Sequence, residues 1–183
     1  MNRVIAGQAS LIACFALYIV WWYRGYRPGV DVSRIGGVNG ALLLAMVALA
    51  CVGIWLSLTP VPATSRPILD SSTIAMVAVA AYVVLLLVTR LLFHRIVTTE
   101  LILIVAWTAI EAVVLVNLNA AGALPDGRFI AMCIVLAAAF AVSVILYVAY
   151  YRMEEMRAFY AAMVPLIAAA ASMTALIVAV CLR

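Results

Sequence analysis

The chain consists of six apolar runs separated by short polar breaks. A helix of about 20 apolar residues can cross the hydrocarbon core of a bilayer, because each residue adds roughly 1.5 Å to its length. The sequence therefore predicts an all-α polytopic membrane protein, folded as a bundle of six transmembrane helices. The predicted helices cover residues 4–23, 37–58, 71–93, 99–118, 129–151 and 158–182.

Composition agrees with this interpretation and excludes several other classes of protein. Hydrophobic residues make up 70% of the 183 residues, charged residues only 10%, and the mean hydropathy is +1.28. Water-soluble domains are about half apolar and a quarter charged. A cytosolic enzyme, a secreted disulfide scaffold, a disordered tail and a nucleic-acid binder are therefore excluded, and the lipid bilayer is the expected partner.

The breaks between the runs contain residues that end helices. Pro28 and Gly29 follow the first run, Pro60 and Pro62 follow the second, and the Leu124–Gly127 segment combines Pro, Asp and Gly in the order of a turn. None of the breaks is long enough to contain a soluble domain. The chain, residues 1–183, is therefore predicted to be a single membrane domain.

The arginines predict an orientation in the membrane. Four of them fall on one side, at Arg3, Arg66, Arg128 and Arg183. Seven fall on the other side, at Arg24, Arg27, Arg34, Arg90, Arg95, Arg152 and Arg157. Since cytoplasmic loops carry an excess of basic residues, the second side is predicted to be cytoplasmic. Both termini are then extracytoplasmic, in a multi-pass protein of the cell (inner) membrane.

Residue types that bind cofactors are scarce. The chain has one histidine, no lysine among its 11 basic residues, and four cysteines without a C-x-x-C pair. A haem bound by two histidines of this chain, a three-histidine zinc centre and a retinal Schiff base are therefore excluded. We expect neither a cofactor nor a metal ion.

Glu111 is the residue that a purely structural bundle does not explain. It lies about 4 Å from the midpoint of the fourth predicted helix, at roughly 1.5 Å per residue. A charge at that depth costs about 2.5–3.5 kcal/mol on insertion scales. Glu111 is therefore expected to face the bundle or a wet cavity, to find a partner or to stay protonated.

Three further residues share nearly the same face of this helix: Glu100, Trp107 and Thr108. A stripe of this kind, from the cytoplasmic mouth to the middle of the bilayer, is typical of a proton or cation path. The alternative is that Glu111 is a structural carboxyl, hydrogen-bonded to a hydroxyl or a backbone carbonyl. For Glu100 the alternative is a simple interfacial position.

Other polar residues complete the candidate site. Tyr82 and Ser143 are predicted to lie opposite Glu111, while other helical polar residues, Gln8 among them, are expected to form interhelical hydrogen bonds. At the cytoplasmic boundary Arg90, His94 and Arg95 are predicted to be interfacial. His94 as a pH-sensitive gate is the sharper alternative.

Small residues indicate close packing between helices. Gly36 and Gly40 are four residues apart, as are Ala9 and Ala13, and such pairs let helix backbones approach each other. Pro165 is expected to bend the sixth helix about a turn and a half after its start.

The stretch 73–152 combines a basic cytoplasmic turn, a helix with a buried glutamate, an outer Asp-Gly turn, and an alanine-rich helix that ends on a basic residue. These features are Arg90–Arg95, Glu111, Asp126-Gly127, Leu136–Ala139 and Arg152. The layout resembles the small three-helix proton-channel subunit of respiratory complex I and of related hydrogenases and antiporters. The resemblance implies a proton path through Glu111 inside a larger complex. Phe140 stands near the position where that family usually has a second glutamate, and the helix 158–182 is extra.

Three functional hypotheses follow. The first is a small transport protein, a carrier or channel for a small solute or ion, with Glu111 inside it. The second is a non-catalytic or proton-pathway subunit of a larger membrane complex, whose partners would be other membrane subunits or a second copy of the chain. The third is an enzyme acting on lipid, which needs a second catalytic group within about 3.5 Å of Glu111.

Overall fold

The computed structural model describes residues 1–27, 36–58, 71–91 and 99–182, and the regular structure in these ranges is helical. The long helices are α1 (Asn2–Tyr26), α2 (Gly36–Ser57), α3 (Ser71–Leu91), α4 (Thr99–Ala120) and α5 (Asp126–Ala149). A 3₁₀ turn (Tyr150–Arg152) precedes the short helix α6 (Glu155–Ala161), and α7 (Val164–Cys181) completes the chain. The predicted all-helical class is confirmed.

Five stretches within these helices are long and apolar enough to cross a membrane. They are Asn2–Gly25, Gly40–Ser57, Glu100–Ala120, Asp126–Ala149 and Glu155–Cys181. In α3 the corresponding apolar stretch is shorter, Thr73–Leu85. Large apolar side chains cover much of the outside of the bundle, and Leu44 and Trp55 are each 71% exposed. Such a surface is compatible with a bundle surrounded by lipid.

The sixth predicted helix, 158–182, is two helices in the structure. Helix α6 ends at Ala161, and α7 begins at Val164. Pro165 therefore lies in the first turn of α7, where its missing N–H removes no helical hydrogen bond. The expected bend within one continuous helix is corrected to a break just before the proline.

Helices α1 and α2 pack more closely than any other helix pair in the described part of the chain. They run antiparallel, since Ser10 Oγ donates to the carbonyl of Leu49 at 3.0 Å and Cys14 Sγ donates to that of Met46 at 3.3 Å. Two glycines allow this proximity. A Cβ on Gly7 would lie 2.6 Å from the backbone nitrogen of Ser57, and one on Gly53 would lie 2.7 Å from Leu11 Cγ.

The expected close contact at Gly40 is wrong. A Cβ built on Gly40 has no atom of another described helix within 4 Å, and Gly40 is exposed. Close approach depends on which residues face a neighbouring helix, and the spacing of two glycines does not by itself determine that. Gly7 and Gly53, which are not four apart, take this role.

The two termini of the described chain lie at the same end of the bundle. One buried apolar cluster joins Val4 of α1, Leu118 of α4, Met132 of α5 and Val180 of α7. At the other end, the ring of Trp22 stacks on that of Phe159 with centroids 6.3 Å apart. The indole of Trp22 also donates to the carbonyl of Phe159 at 3.4 Å.

The turn between α4 and α5 is fixed by its own hydrogen bonds. Gly122 has φ 66°, a conformation that glycine adopts without a steric penalty. The N–H of Ala123 donates to the carbonyl of Leu118 at 2.9 Å, which closes the end of α4 in a Schellman motif. Asn119 Nδ2 donates to Asp126 Oδ1 at 3.0 Å. The structure places this turn at residues 121–124, and α5 begins at Asp126, so the turn predicted at residues 124–127 lies mostly before that segment.

The glycine contacts make a prediction about stability. Gly7→Ala places a methyl group against the backbone of α2 and is expected to lower the free energy of unfolding by about 1–3 kcal/mol. The measurement is unfolding by SDS titration from mild detergent, followed by circular dichroism. Gly40→Ala is the matched control, and it should be neutral or stabilising by up to about 1 kcal/mol. Equal effects of the two substitutions would contradict the packing described above.

Candidate functional site

Glu111 is buried inside the bundle, and its partner comes from the first helix. The carboxyl group lies in the middle of α4 and is 2% exposed, while Gln8 of α1 is 1% exposed. Gln8 Nε2 donates to Glu111 Oε1 at 2.9 Å. The same nitrogen lies 3.4 Å from the hydroxyl oxygen of Ser57 in α2, a longer and weaker contact. Side chains of α1, α2 and α4 therefore meet at the amide nitrogen of Gln8.

Apolar packing holds Gln8 and Glu111 in register. Val4 lies one turn before Gln8, Leu115 lies one turn after Glu111, and both belong to the same buried cluster. The backbones of α1 and α4 approach less closely than those of α1 and α2. The long side chains of Gln8 and Glu111 span this wider gap between the two helices.

The hydroxyl group of Ser57 can lie beside Gln8 because residue 7 is a glycine. Gly7 lies next to Gln8 in the sequence, and a Cβ on it would meet Ser57 Oγ at 2.5 Å. The absence of a side chain at position 7 therefore makes room for the hydroxyl beside Gln8. The close packing of α1 and α2 and the polar contact of Gln8 are parts of one arrangement.

Two polar atoms at the site have no hydrogen-bond partner among the described residues. They are the acceptor Gln8 Oε1 and the donor Trp107 Nε1, and both are buried. Trp107 lies one turn before Glu111 on α4, so the two side chains are neighbours on one helix face. A buried polar atom without a partner is rare in folded proteins and calls for an explanation.

The other predicted pathway residues of α4 differ in their surroundings. Thr108 is half-buried, and its hydroxyl donates to the carbonyl of Ile104 at 2.8 Å, within its own helix. Glu100 is exposed at the start of α4. Trp107 and Thr108 lie on α4 between an exposed and a buried carboxyl group, and their role in a path stays a prediction.

Tyr82 and Ser143 have other partners in the structure. Tyr82 packs against the buried cluster of Leu101, Ile104 and Tyr147, on the α3 side of α4. Ser143 is buried, and its hydroxyl donates to the carbonyl of Ala139 at 2.7 Å in its own helix. The structure places Gln8, and neither of these residues, in hydrogen-bond contact with Glu111.

The interfacial candidates are only partly described. Arg90 lies in the last turn of α3, and its side chain is outside the described part of the structure. His94 and Arg95 fall in the segment 92–98, which lies outside the described residues. Their predicted interfacial roles therefore stay predictions.

The site has to be interpreted from its own chemistry, because no protein-family model, curated protein or solved structure matches the chain. Among the described residues no three or more His, Cys, Asp or Glu side chains form a group suited to a metal ion.

The groups that the structure brings together are one carboxyl group, one primary amide and one hydroxyl group. A carboxyl group with an amide partner can hold a proton or release it, because an amide both donates and accepts hydrogen bonds.

The hydrogen bond between Gln8 and Glu111 makes a prediction about energetic coupling. Gln8→Leu leaves a buried carboxyl group without its amide partner and is expected to cost about 1–3 kcal/mol. In a double-mutant cycle with Glu111→Leu, the coupling energy should be roughly 0.5–2 kcal/mol. SDS unfolding of the four proteins measures it.

A matched control uses Ser172, a buried serine that donates to the carbonyl of Ala169 in its own helix at 2.9 Å. Ser172→Ala combined with Glu111→Leu should show additive effects. A coupling energy of zero for Gln8 and Glu111 would mean that their contact contributes nothing to the fold.

Proposed function

We propose that the chain is a small transport protein in which Glu111 is the ion-binding group. The observation that carries this proposal is the contact between Glu111 and Gln8, deep inside a bundle of apolar helices. Ionisable residues in transmembrane segments are rare and mark ion or substrate pathways when they face the bundle interior. Transport of a small solute or ion is the function that this arrangement supports best.

The surroundings of Glu111 favour a functional over a structural carboxyl group. A structural polar network stabilises a fold only when its members are satisfied, and a half-satisfied network is worse than an apolar core. Gln8 Oε1 and Trp107 Nε1 have no partner in the described part of the chain. Apolar side chains at positions 8, 107 and 111 together would avoid this cost, so the retained polar group is best explained by a function that apolar side chains cannot provide.

A proton is the ion that fits the site best. Ca²⁺ takes six to eight oxygen ligands and Mg²⁺ takes six, whereas a proton needs only one carboxyl oxygen and a hydrogen-bond partner. Glu111 and Gln8 provide these two groups at 2.9 Å. The proposed cargo or coupling ion is therefore the proton.

The proposed path enters from the cytoplasmic side. Glu100 is exposed at the start of α4, and Glu111 lies eleven residues further along, roughly 16 Å at the helical rise. Trp107 and Thr108 lie between them. Glu100 would receive the ion at the membrane surface, and Glu111 would bind it in the middle of the bilayer.

The proposed topology has six membrane-crossing segments, with both termini outside a cell (inner) membrane. Its support is the arginine distribution together with the contacts at the two ends of the bundle. Val4 and Val180 share one cluster at one end, while Trp22 stacks on Phe159 at the other. The latter end carries Arg24 and Arg157, which belong to the more basic side.

A flux measurement tests the transport proposal. In proteoliposomes with an imposed proton gradient, the wild-type chain should carry protons, and Glu111→Gln should reduce the flux to that of protein-free vesicles. Glutamine preserves size and hydrogen bonding but cannot release a proton. Glu155→Gln, a change at an exposed residue of α6, is the matched control and should keep full flux. Undiminished flux in a correctly folded Glu111→Gln protein would exclude the proposed role.

Reporter fusions test the topology. Alkaline phosphatase fused after Arg183 should be active, because this enzyme needs the oxidising periplasm, and a fluorescent protein that folds only in the cytoplasm should be dark there. Inserted in the loop at Met153, between α5 and α6, the two reporters should behave in the opposite way. The reverse pattern at both positions would invert the proposed orientation.

A second candidate function is a proton-pathway subunit of a larger complex of the complex I, hydrogenase or antiporter type. The surface of α3 favours it, because α3 packs against α4 while Met76, Val77 and Val79 are more than 60% exposed. Gln8 lies outside the stretch 73–152 that resembles that family. Purification in mild detergent discriminates the two, since a subunit should leave the membrane with other proteins and a carrier should purify alone.

Catalysis on lipid is the weakest of the three hypotheses. It needs a second catalytic group near Glu111, and among the described residues the group at hydrogen-bond distance is the amide of Gln8. A primary amide is neither a nucleophile nor an acid–base catalyst near neutral pH.

A further inference from the structure

We propose that Gln8 Oε1 and Trp107 Nε1 together bind one neutral O–H group, from water or from a solute hydroxyl, next to Glu111. The two atoms are a buried acceptor and a buried donor with no partner in the described residues. The part that this ligand plays in proton movement rests on the proposed function. Its binding rests on the two unpaired atoms, on the contact of Gln8 with Glu111, and on the spacing of Trp107 and Glu111 along α4.

The first step of the argument concerns the amide of Gln8. Its nitrogen already has polar partners, because it donates to Glu111 at 2.9 Å and lies 3.4 Å from the hydroxyl of Ser57. Its oxygen accepts nothing from the described residues, although Gln8 is only 1% exposed. Leaving a buried acceptor unpaired costs about 1–3 kcal/mol, which a bound donor recovers.

The second step relates Trp107 to this acceptor, since Trp107 packs against the same buried cluster as Val4, one turn before Gln8. Trp107 and Glu111 are separated by one helical turn, and such residues have Cβ atoms about 5–6 Å apart. Helical side chains tilt toward the N-terminus of their helix, so Glu111 leans toward the turn that carries Trp107. Since Gln8 contacts the end of the Glu111 side chain, its amide lies at the same level of α4.

The third step identifies the chemical class of the ligand. A cation would bind Gln8 Oε1 but would leave the indole N–H without an acceptor. An anion would accept from the indole but would face the carboxyl group of Glu111. An O–H group does both, since its oxygen accepts from Trp107 while its hydrogen is donated to Gln8. A buried water typically makes about three hydrogen bonds, and Glu111 offers the third.

This ligand would extend the hydrogen-bonded chain away from Glu111. Gln8 and Ser57 lie on one side of the carboxyl group, on α1 and α2, whereas Trp107 lies one turn nearer the start of α4. The start of α4 is where Glu100 is exposed. The O–H group therefore continues the polar contacts in the direction of the proposed cytoplasmic mouth.

Indole nitrogen NMR of the full chain in lipid nanodiscs tests the inference. The chain has four tryptophans, so ¹⁵N-tryptophan labelling gives four indole signals, and Trp107→Phe assigns the one of interest. We expect a cross-peak between the Trp107 indole N–H and water. Gln8→Leu removes the acceptor of the same ligand and should abolish this cross-peak. Trp55, which is 71% exposed, provides the internal control, because its signal should not respond to Gln8→Leu.

The two sources of the O–H group give different results. With water, the cross-peak is present in plain buffer. With a solute hydroxyl, the water cross-peak is absent, and added glycerol shifts the Trp107 signal in a saturable way that Gln8→Leu removes. If Gln8→Leu does not fold, Gln8→Asn, which shortens the amide by one methylene, should weaken the same contact.

The inference is overturned if the Trp107 indole contacts neither water nor glycerol. It is also overturned if the contact is the same in the wild-type and Gln8→Leu proteins. This result is separate from the fate of the proposed function. A Trp107–water contact that depends on Gln8, together with normal flux in Glu111→Gln, would keep the ligand site and reject proton transport through Glu111. If Trp107→Phe also reduces the proton flux, the ligand site contributes to proton transport.

Discussion

The hydrogen bond from Gln8 to Glu111 is the constraint on which the arrangement of helices depends. A carboxyl group surrounded by apolar side chains needs a polar partner, and the partner is on α1, more than a hundred residues earlier in the chain. The contact therefore requires α1 to lie beside α4. Ser57, at the end of α2, lies close to the same amide nitrogen. Three helices are thereby related through one side chain.

Most of the fold could be predicted from hydrophobic run length, and the exceptions have physical causes. The predicted ranges 4–23, 37–58, 99–118 and 129–151 each correspond to an observed helix, because length and apolar composition are local properties. The predicted helix 158–182 is wrong in one detail, because the structure has two helices in this range. A proline such as Pro165 can either bend a helix or lie in its first turn. The sequence alone does not show which of these roles Pro165 has. In the structure α6 ends at Ala161 and α7 begins at Val164, so Pro165 lies in the first turn of a helix.

The candidate site could be predicted only in part. Glu111 was identified because an acidic residue in the middle of an apolar helix is costly wherever the helix packs. Gln8 was missed as its partner, since sequence alone does not say which helices are neighbours. One signal was present, because Gln8 is the only amide side chain in the run 4–23. The prediction that Tyr82 and Ser143 lie opposite Glu111 also depends on which helices are neighbours, which the sequence does not show. The structure has Tyr82 in a separate cluster.

The glycine contact between α1 and α2 determines which side of the site can move. Gly7 and Gly53 leave no room for a side chain between these helices, so Gln8 and Ser57 are expected to keep their relative positions. Across the site, α4 is joined to α1 by side chains over a wider backbone separation. Relative movement of the helices is therefore expected at the interface between α1 and α4 before the interface between α1 and α2. Such a movement would change the distance between Gln8 and Glu111.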